Sequence, residues 1–307
     1  MSASADVWFV IINPTSGNGR AKKKWPTIKR LLVQHGFHFK YAFTEYPGHA
    51  QLLVNQYIKH NFSRFISVGG DGTLHGIVNG IMTQTDVPFA NIKVGVIPIG
   101  TGNDWVKTHQ IPRDIERAIQ LIKKEQCSQQ DIGKIEFLNS ELPPVYFNNL
   151  AGIGFDAYVV SKVSKHKNLG AIAYLLAAVI GLFSFKNFNS KVIINSEEIS
   201  GKTLMILIGL CKYSGGGMQL THHPNPVDGL FDVSIVENLS KFEILKHLPK
   251  LFNGKIYTVK QVQHLKTTSL KIYVEPDACL LVEADGELVG AGAIELSLIP
   301  KALSFYC

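Results

Sequence analysis

The sequence predicts a two-domain protein in which an α/β domain precedes a β-rich domain. Over roughly the first 130 residues, short apolar runs alternate with helix-like stretches, the pattern of βαβ units around a parallel sheet. After Asp131 the pattern changes to short alternating runs, typical of an antiparallel sandwich. The length of 307 residues also favours two domains. We expect domains at 1–130 and 131–295, and the tail at 296–307 can pack back on the first.

Each strand of the first domain is expected to lead through a turn into a helix. The strands are predicted at 7–12, 39–43, 64–68 and 93–97, and the helices at 19–35, 48–60, 73–82 and 114–124. In the second domain, strands are predicted at 134–138, 145–148, 191–194, 203–210 and 231–236 and near 262, 270, 280 and 294, with helices at 156–163, 171–183 and 241–251. Ligands of parallel sheets bind beyond the carboxyl ends of the strands, so the chemistry is expected in the loops after the first four strands.

Composition narrows the class of protein. The net charge of +7 favours anionic partners such as phosphates, acidic lipids or nucleic acid, without choosing among them. The four cysteines have no CxxC spacing, which indicates neither a disulfide framework nor a zinc site. The apolar run at 7–12 is too short for a secretory signal. These features fit the reducing cytoplasm.

The strongest motif is the run at 67–73, Ser-Val-Gly-Gly-Asp-Gly-Thr, between a predicted strand and a predicted helix. Its glycines leave room for a phosphate, and the helix that follows offers free N–H groups. Asp71 has two possible roles in such a loop. Its carboxylate can bind a magnesium ion that lies between it and the phosphate, or it can hold the loop by accepting backbone hydrogen bonds. An ordinary tight turn with a helix cap is the alternative.

Two further strand ends carry the same kinds of residue. The first strand ends in Asn13-Pro14-Thr15-Ser16-Gly17, and the fourth in Gly100-Thr101-Gly102-Asn103-Asp104. Three such ends on one sheet edge favour a nucleotide-phosphate site over turns alone. No GxxxxGK[ST] loop occurs and no GxGxxG follows the first strand directly, so this is not a P-loop enzyme.

Taken in order, these motifs and the late run Asp285-Gly286-Glu287 resemble the diacylglycerol kinase catalytic domain family, which includes sphingosine and ceramide kinases. The match runs nearly the whole length of the chain. The resemblance implies a three-layer α/β nucleotide domain similar to NAD kinase and phosphofructokinase, plus a β-sandwich domain. It also implies an ATP-dependent lipid kinase that uses Mg²⁺, with diacylglycerol as the first candidate acceptor and phosphatidic acid as its product.

The resemblance implies roles for individual residues. The nucleotide is expected to contact Asn13, Ser16, Gly17, Thr44, Gly69, Gly70, Asp71, Gly72, Thr73, Gly100, Thr101, Gly102 and Asn103. Thr44 is equally explained as a helix cap before Pro47. Asp71 is implied as a catalytic residue and a metal ligand, and Asp104 as a member of the magnesium network. Asp104 could equally cap the short helix that contains Trp105.

Phosphoryl transfer also needs a carboxylate that accepts the proton of the attacking hydroxyl. The resemblance assigns this role to Asp285, with Glu287 ordering magnesium or the base. Without the resemblance, the Asp-Gly pair between two apolar runs is explained as a hairpin turn.

The run at 225–232 resembles a segment that holds a structural magnesium in some bacterial members of the family. The implied ligands are the side chain of Asp228 and the carbonyls of Asn225 and Leu230, and oxygen ligands suit a hard cation. A Pro-Asp-Gly turn before a strand explains the run equally well.

Two segments bear on membrane contact. Residues 170–185 are uncharged and mostly apolar but shorter than the roughly 20 residues of a spanning helix, so a buried or half-exposed helix of the second domain is favoured over insertion of one face into a bilayer. The first helix carries many basic residues, which either form a solvated face or attract anionic lipid.

We expect a cytoplasmic protein that associates peripherally with the inner face of the membrane. Its expected partners are ATP, a lipid substrate and anionic phospholipid, and no reader motif for nucleic acid occurs. The oligomeric state, a homodimer included, is left open. Two rival functions are a kinase for a soluble hydroxyl compound and a catalytically silent nucleotide or lipid sensor.

Overall fold

The computed structural model describes residues 7–138, 140–163, 181, 184–275 and 280–307. The chain forms two compact units, the first made of residues 1–130 and 301–307 and the second of residues 131–300. The α/β character of the first unit and the β-rich character of the second agree with the sequence pattern. The predicted helix at 171–183 lies almost entirely outside the described residues.

The first unit is built on a parallel sheet. Its strands are β1 (Trp8–Ile12), β2 (Phe39–Phe43), β3 (Arg64–Gly69), β4 (Lys93–Pro98) and the last part of β15 (Ile294–Tyr306). The strand order is β15-β4-β3-β1-β2. Because β3 lies between β1 and β4, the three glycine-containing loops leave neighbouring strands.

Helices cover both faces of this sheet. They are α1 (Arg20–Gln34), α2 (His49–Lys59), α3 (Asp71–Thr83), α4 (Asp104–Thr108) and α5 (Ile115–Lys123). On one face, Val10 and Ile12 share a hydrophobic core with α1 and α5. On the other face, Phe9 stacks on Tyr57 of α2 with ring centroids 3.5 Å apart. The alternation of side chains along β1 therefore produces a three-layer unit.

The second unit is dominated by antiparallel pairing. Its strands are β5 (Cys127–Phe137), β6 (Val145–Phe147), β7 (Leu150–Gly154), β8 (Phe188–Ile194), β9 (Glu197–Gly209), β10 (Phe231–Glu237), β11 (Val262–Thr267), β12 (Ser269–Val274), β13 (Leu281–Ala284) and β14 (Glu287–Ala291), with most of β15. Its described helices include α6 (Phe155–Val163) and α7 (Lys241–Asn253). The first half of β9 pairs with β8, and its second half pairs with both β7 and β10.

Several strands of this unit differ from the sequence prediction, β7 and β9 among them. β7 was not predicted as a strand because two of its five residues are glycines, which weaken strand propensity. β9 begins at Glu197, earlier than predicted, although its first residues are charged or polar. These residues pair with β8 through a turn at Asn195 and Ser196, both in the left-handed conformation.

Candidate active site

Three loops of the first unit meet at the carboxyl edge of its sheet. They begin after β1 at Asn13, after β3 at Gly70 and after β4 at Ile99. The N–H of Asn13 donates to the carbonyl of Val68 at 3.1 Å, and the N–H of Gly100 donates to the carbonyl of Gly69 at 3.1 Å. The residues expected to contact the nucleotide in these loops therefore lie together, where α/β sheets bind ligands.

Arg20 ties the β1 loop to the β4 loop. Its guanidinium donates to the carbonyls of Gly17 at 3.0 Å, Ile99 at 3.2 Å and Gly100 at 3.3 Å. Gly17 has φ 60°, and a side chain at this position would collide with the Ile99 carbonyl. Glycine therefore permits the close approach of the two loops, and Arg20 holds them in it.

The β3 and β4 loops leave no room for side chains at Gly69, Gly70 and Gly100. A Cβ at Gly70 would lie 3.1 Å from the Cα of Gly100, and a Cβ at Gly69 would overlap the Thr73 hydroxyl. Thr73 Oγ1 and Asn103 Oδ1 are buried and have no hydrogen-bond partner among the described residues. Since buried polar atoms are nearly always bonded, a ligand or ordered water is expected to supply these partners.

Asp71 anchors the start of α4. Its Oδ2 accepts the N–H of Asp104 at 3.2 Å, and its Oδ1 accepts the N–H of Trp105 at 3.3 Å. Of the two roles that the sequence leaves open for Asp71, the structure contains the one in which backbone N–H groups bind the carboxylate. Asp104 is the first helical residue of α4 and Asn103 is its N-cap, so the alternative of Asp104 as the cap is wrong.

The carboxylates of Asp71 and Asp104 both lie against Gly102. A Cβ at Gly102 would lie 3.2 Å from Asp71 Oδ2 and 3.6 Å from Asp104 Oδ2. Mg²⁺ is commonly bound by one or two protein carboxylates together with water and phosphate oxygens, so this pair fits the ion. Within the described ranges, no group of three or more His, Cys, Asp or Glu side chains is arranged to hold a metal.

A buried side chain, that of Gln130, contacts α4 and the residue that follows it. Gln130 Oε1 accepts Trp105 Nε1–H at 2.7 Å and lies 2.8 Å from His109 Nε2. Burial lowers the pKa of His109 to about 4, so its ring is neutral at pH 7 and donates from Nε2. The ring also packs against Phe305, with centroids 4.5 Å apart. The helix that carries Asp104 is thus held by the C-terminal strand.

Thr44 lies at the end of β2, where its N–H donates to the Ile12 carbonyl at 2.8 Å. Helix α2 begins only at His49, its N-cap is Gly48, and no side chain caps it. The alternative of Thr44 as a helix cap is therefore wrong. Its contact with a nucleotide stays a prediction.

Asp285 opens the two-residue turn between β13 and β14 in the second unit. Asp285 and Gly286 have φ 53° and 81°, the left-handed values of a type I′ hairpin turn. The carboxylate accepts backbone N–H bonds from Asn149 at 2.8 Å and Leu150 at 3.2 Å through Oδ1, and from Asn148 at 3.1 Å through Oδ2. The two interpretations of the motif, a hairpin turn and a catalytic base, do not exclude each other, because the hairpin holds the carboxylate in a defined direction. Glu287 begins β14, opposite Ala284.

A second carboxyl pair lies beneath this turn. Glu283 is buried, and its Oε2 accepts the N–H of Gly286 at 2.8 Å. A Cβ at Gly152 would lie 3.1 Å from Glu283 Oε1 and 2.6 Å from Asp156 Oδ2, so the absence of a side chain there leaves room for both carboxyls. Burial and the charge of Asp156 raise the pKa of Glu283 well above its ordinary value. The direction of this shift favours one proton on the pair, with a hydrogen bond between Glu283 and Asp156.

The role of Glu283 was not predicted from the sequence. The available signal was a single Glu between Val282 and Ala284, which are buried in the core on the other face of β13. The partner strand β7 places Gly152 directly opposite Glu283.

An apolar cavity of about 70 Å³ lies within the second unit, which is room for several water-sized groups. Among its lining residues are Phe155 and Val159 of α6, Ile244, Leu248 and Leu251 of α7, and Val236 of β10. Among the described residues of the lining, Asp156 is the only acidic one. Asp156 therefore links the cavity, through Glu283, to the turn that carries Asp285.

The run at 225–232 forms a turn in which Asp228 bonds to a lysine. Asp228 Oδ2 lies 2.9 Å from Lys266 Nζ, and Asp228 Oδ1 accepts the N–H of Leu230 at 3.1 Å. The carbonyl of Asn225 faces the N–H of Asp228 at 3.5 Å. Since an ammonium group already neutralises the carboxylate, a magnesium ion would have to displace Lys266. The metal role of Asp228, Asn225 and Leu230 stays a prediction.

The two segments considered for membrane contact have different outcomes. Residues 170–185 lie mostly outside the described residues. On α1, one face packs in the core through Trp25 and Ile28, while Lys22, Lys23, Lys24, Lys29 and Arg30 are exposed. Among the described helices, none has the length and apolar character needed to cross a bilayer.

Comparisons with known proteins cover nearly the whole chain. Residues 7–135 match the family described as diacylglycerol kinase catalytic domain, and residues 149–307 match the YegS C-terminal NAD kinase beta sandwich-like domain. A diacylglycerol kinase of Staphylococcus saprophyticus is 31% identical over 92% of this chain and 88% of its own length. One from Staphylococcus aureus (strain MRSA252) is 30% identical over 92% and 86%. The crystal structure of a diacylglycerol kinase from Bacillus anthracis aligns with a TM-score of 0.73 over 100% of this chain and 98% of that chain, at 21% identity.

Proposed function

The chain belongs to the diacylglycerol kinase catalytic domain family and is a lipid kinase, and on this premise we propose a mechanism in which Asp285 activates the acceptor. The reaction moves the γ-phosphoryl group of ATP to the free hydroxyl of a lipid, with diacylglycerol as the best-supported acceptor and phosphatidic acid as the product. The acceptor oxygen forms a bond to the γ-phosphorus, the bond to the ADP oxygen breaks, and the hydroxyl proton passes to a carboxylate.

The observation that carries the lipid assignment is the apolar cavity of the second unit. A kinase for a soluble hydroxyl compound would need a polar pocket, whereas this lining is apolar apart from Asp156 and His247. In the proposal, part of an acyl chain occupies the cavity. The glycerol hydroxyl then lies on the side of Asp156, toward the hairpin that carries Asp285.

Asp285 is proposed as the group that orients and deprotonates this hydroxyl. Its three bonds from Asn148, Asn149 and Leu150 support the role, because they hold the carboxylate in one direction without donating a proton to it. Glu287, two residues further, is proposed to assist Asp285 or the metal.

The triphosphate is proposed to bind along the loops after β1, β3 and β4. The close-packed glycines and the N-terminus of α3 support this assignment, since both favour phosphate oxygens. Asp71 and Asp104 would hold Mg²⁺, which when bound would offset the negative charge of the phosphate oxygens. Asp71 also keeps α4 in place, so it is a positioning residue whether or not it binds the ion.

We place the enzyme at the cytoplasmic face of a membrane, with anionic phospholipid as a surface partner. ATP is a cytoplasmic substrate, while the acceptor lipid resides in the bilayer. The net charge of +7 supports attraction to an anionic surface. A homodimer stays a prediction.

The test is to incubate the purified chain with labelled ATP, Mg²⁺ and mixed micelles that each contain one candidate acceptor. Diacylglycerol, monoacylglycerol, a polyprenol, a sphingoid base and phosphatidylglycerol form the panel, and NAD serves as the soluble acceptor. We expect labelled phosphatidic acid from diacylglycerol. Labelling of NAD and of no lipid would contradict the proposal. Tight ATP binding with no turnover on any acceptor would favour a silent relative instead.

A further inference from the structure

Helix α7 presents an apolar stripe to solvent in addition to its packed face. Its packed face contributes Ile244, Leu248 and Leu251 to the apolar cavity. On the adjoining side, Phe242 is 78% exposed and Leu245 37%, and Phe252, which also lines the cavity, is 44% exposed. The spacing of three and seven residues aligns these three side chains along one side of the helix. Such a grouped exposed stripe marks an interaction surface more often than scattered exposed residues do.

Lysines flank this stripe. Lys241 and Lys246 are exposed beside it on α7, and Lys255 is exposed just after the helix. Glu243, the acidic residue of the first turn, already has hydrogen-bond partners within the chain. It accepts bonds from the N–H and the hydroxyl of Ser240 and one from Gln261. An exposed apolar stripe with cations on its borders is the pattern of a helix that lies in a membrane interface.

We propose that α7 docks the enzyme on an anionic lipid bilayer, with Phe242, Leu245 and Phe252 entering the acyl region and the flanking lysines at the head groups. The choice of a bilayer rests on the proposed function, because a lipid acceptor must be taken from a membrane. It also rests on position, because the same helix forms a wall of the cavity assigned to the acyl chain.

Charge argues against a second copy of this chain as the occupant. In a two-fold interface the same patch meets itself, so the lysines that border the stripe would face lysines. An anionic bilayer instead attracts them, by about 1 kcal/mol for each basic residue near the surface. The surface therefore fits lipid head groups better than its own copy.

The test measures binding of the purified chain to sedimented vesicles of two kinds. One kind is phosphatidylcholine alone, and the other contains about 30% phosphatidylglycerol, whose negative charge should attract the lysines. In Phe242→Ser/Leu245→Ser, affinity for the anionic vesicles is expected to fall roughly tenfold or more. The matched control is Leu52→Ser/Phe89→Ser, which removes one leucine and one phenylalanine that are 53% and 36% exposed in the first unit. The control should bind like wild type.

A charge pair tests the lysines separately. Lys246→Glu/Lys255→Glu should weaken binding to anionic vesicles by about tenfold or more and leave binding to neutral vesicles nearly unchanged. The control Lys59→Glu/Lys124→Glu makes the same change of net charge at exposed lysines of the first unit. Equal losses in both variants would mean that only net charge matters, and would overturn the proposed surface.

A second readout separates this proposal from the proposed function. Phosphorylation of a short-chain diacylglycerol in detergent should be unchanged in Phe242→Ser/Leu245→Ser, while phosphorylation of diacylglycerol in vesicles should fall with binding. If wild type has no lipid kinase activity but binds vesicles through α7, the proposed function is refuted and the docking surface is supported. Wild-type vesicle binding by Phe242→Ser/Leu245→Ser would overturn the docking surface alone. A dimer in light scattering that this variant dissociates would assign the stripe to a contact between copies.

Discussion

Replacing Asp285 by asparagine separates catalysis from folding better than the usual alanine. Alanine at this position removes the acceptor of three backbone N–H groups at once, those of Asn148, Asn149 and Leu150. Each bond to a charged group contributes about 1.5–3 kcal/mol, so the total loss is on the order of 5 kcal/mol. Native domains are stable by only about 5–15 kcal/mol. An inactive Asp285→Ala protein would therefore say little about chemistry.

In Asp285→Asn, the amide oxygen can keep both bonds that Oδ1 makes, to Asn149 and Leu150. The amide nitrogen cannot accept the Asn148 N–H, which now lies 3.1 Å from Oδ2. We expect the free energy of unfolding to fall by about 2 kcal/mol, the value of one bond to a charged group. Because the amide cannot accept the hydroxyl proton, phosphoryl transfer should fall by about 10²- to 10⁴-fold.

The assay is transfer of labelled phosphate to diacylglycerol in mixed micelles, well below the melting temperature measured by circular dichroism. ATP affinity measured by calorimetry should stay within a few-fold of wild type. Asp86→Asn, the same change at an exposed carboxylate of the first unit, is the control and should be neutral. A folded Asp285→Asn protein that transfers phosphate within tenfold of the wild-type rate would refute Asp285 as the base.

Three other predictions follow from titrating groups and from the loop contacts. The pKa of Glu283 is raised by burial and by Asp156, so the stability that this carboxyl contributes is present below pH 4.5 and is lost as pH rises through its raised pKa. Thermal melts should show Glu283→Gln gaining stability over wild type as pH rises above 4.5, and a pH-independent difference would contradict this. Burial lowers the pKa of His109 to about 4, so the free energy of unfolding of wild type should fall by up to about 3 kcal/mol more than that of His109→Gln between pH 6.5 and pH 4. Equal falls in the two proteins, measured by denaturant unfolding, would argue against it. Arg20→Lys should raise the KM for ATP by roughly fivefold with kcat nearly unchanged, because an ammonium cannot reach the three carbonyls that the guanidinium binds; an unaltered KM would mean that the loops hold without it.

Local patterns were enough to predict the first unit. The apolar runs and the helical stretches at 7–124 each correspond to an observed element, with bounds that differ by at most two residues. The reason is that each βαβ unit buries its own strand and helix, so pattern and structure are set within about 30 residues. The adjacency of the β1, β3 and β4 loops could also be anticipated, because it follows from parallel strands sharing one edge.

The second unit was harder to predict because its decisive contacts are distant in sequence. Gly152 is a glycine because Glu283 and Asp156 need the space beside it, a pairing that no local pattern reveals. The bonds from Asn148 and Asn149 to Asp285 likewise join residues more than 130 positions apart. Helix α7 was predicted as a helix, but its exposed stripe depends on which face packs against the rest of the unit.

The strand order of the first unit bears on how the chain folds during synthesis. On the side of β4 away from β3 lies the last part of β15, where Ser304 and Phe305 pair with Lys93 and Val94. Tyr306, in the same segment, packs against Trp8 with ring centroids 5.1 Å apart. During synthesis, one edge of β4 therefore lacks its β15 partner until about 200 further residues have been translated. An unpaired strand edge can form non-native pairs or aggregate during that time. A nascent chain arrested before residue 300 should consequently remain protease-sensitive and chaperone-bound in a region that was translated first.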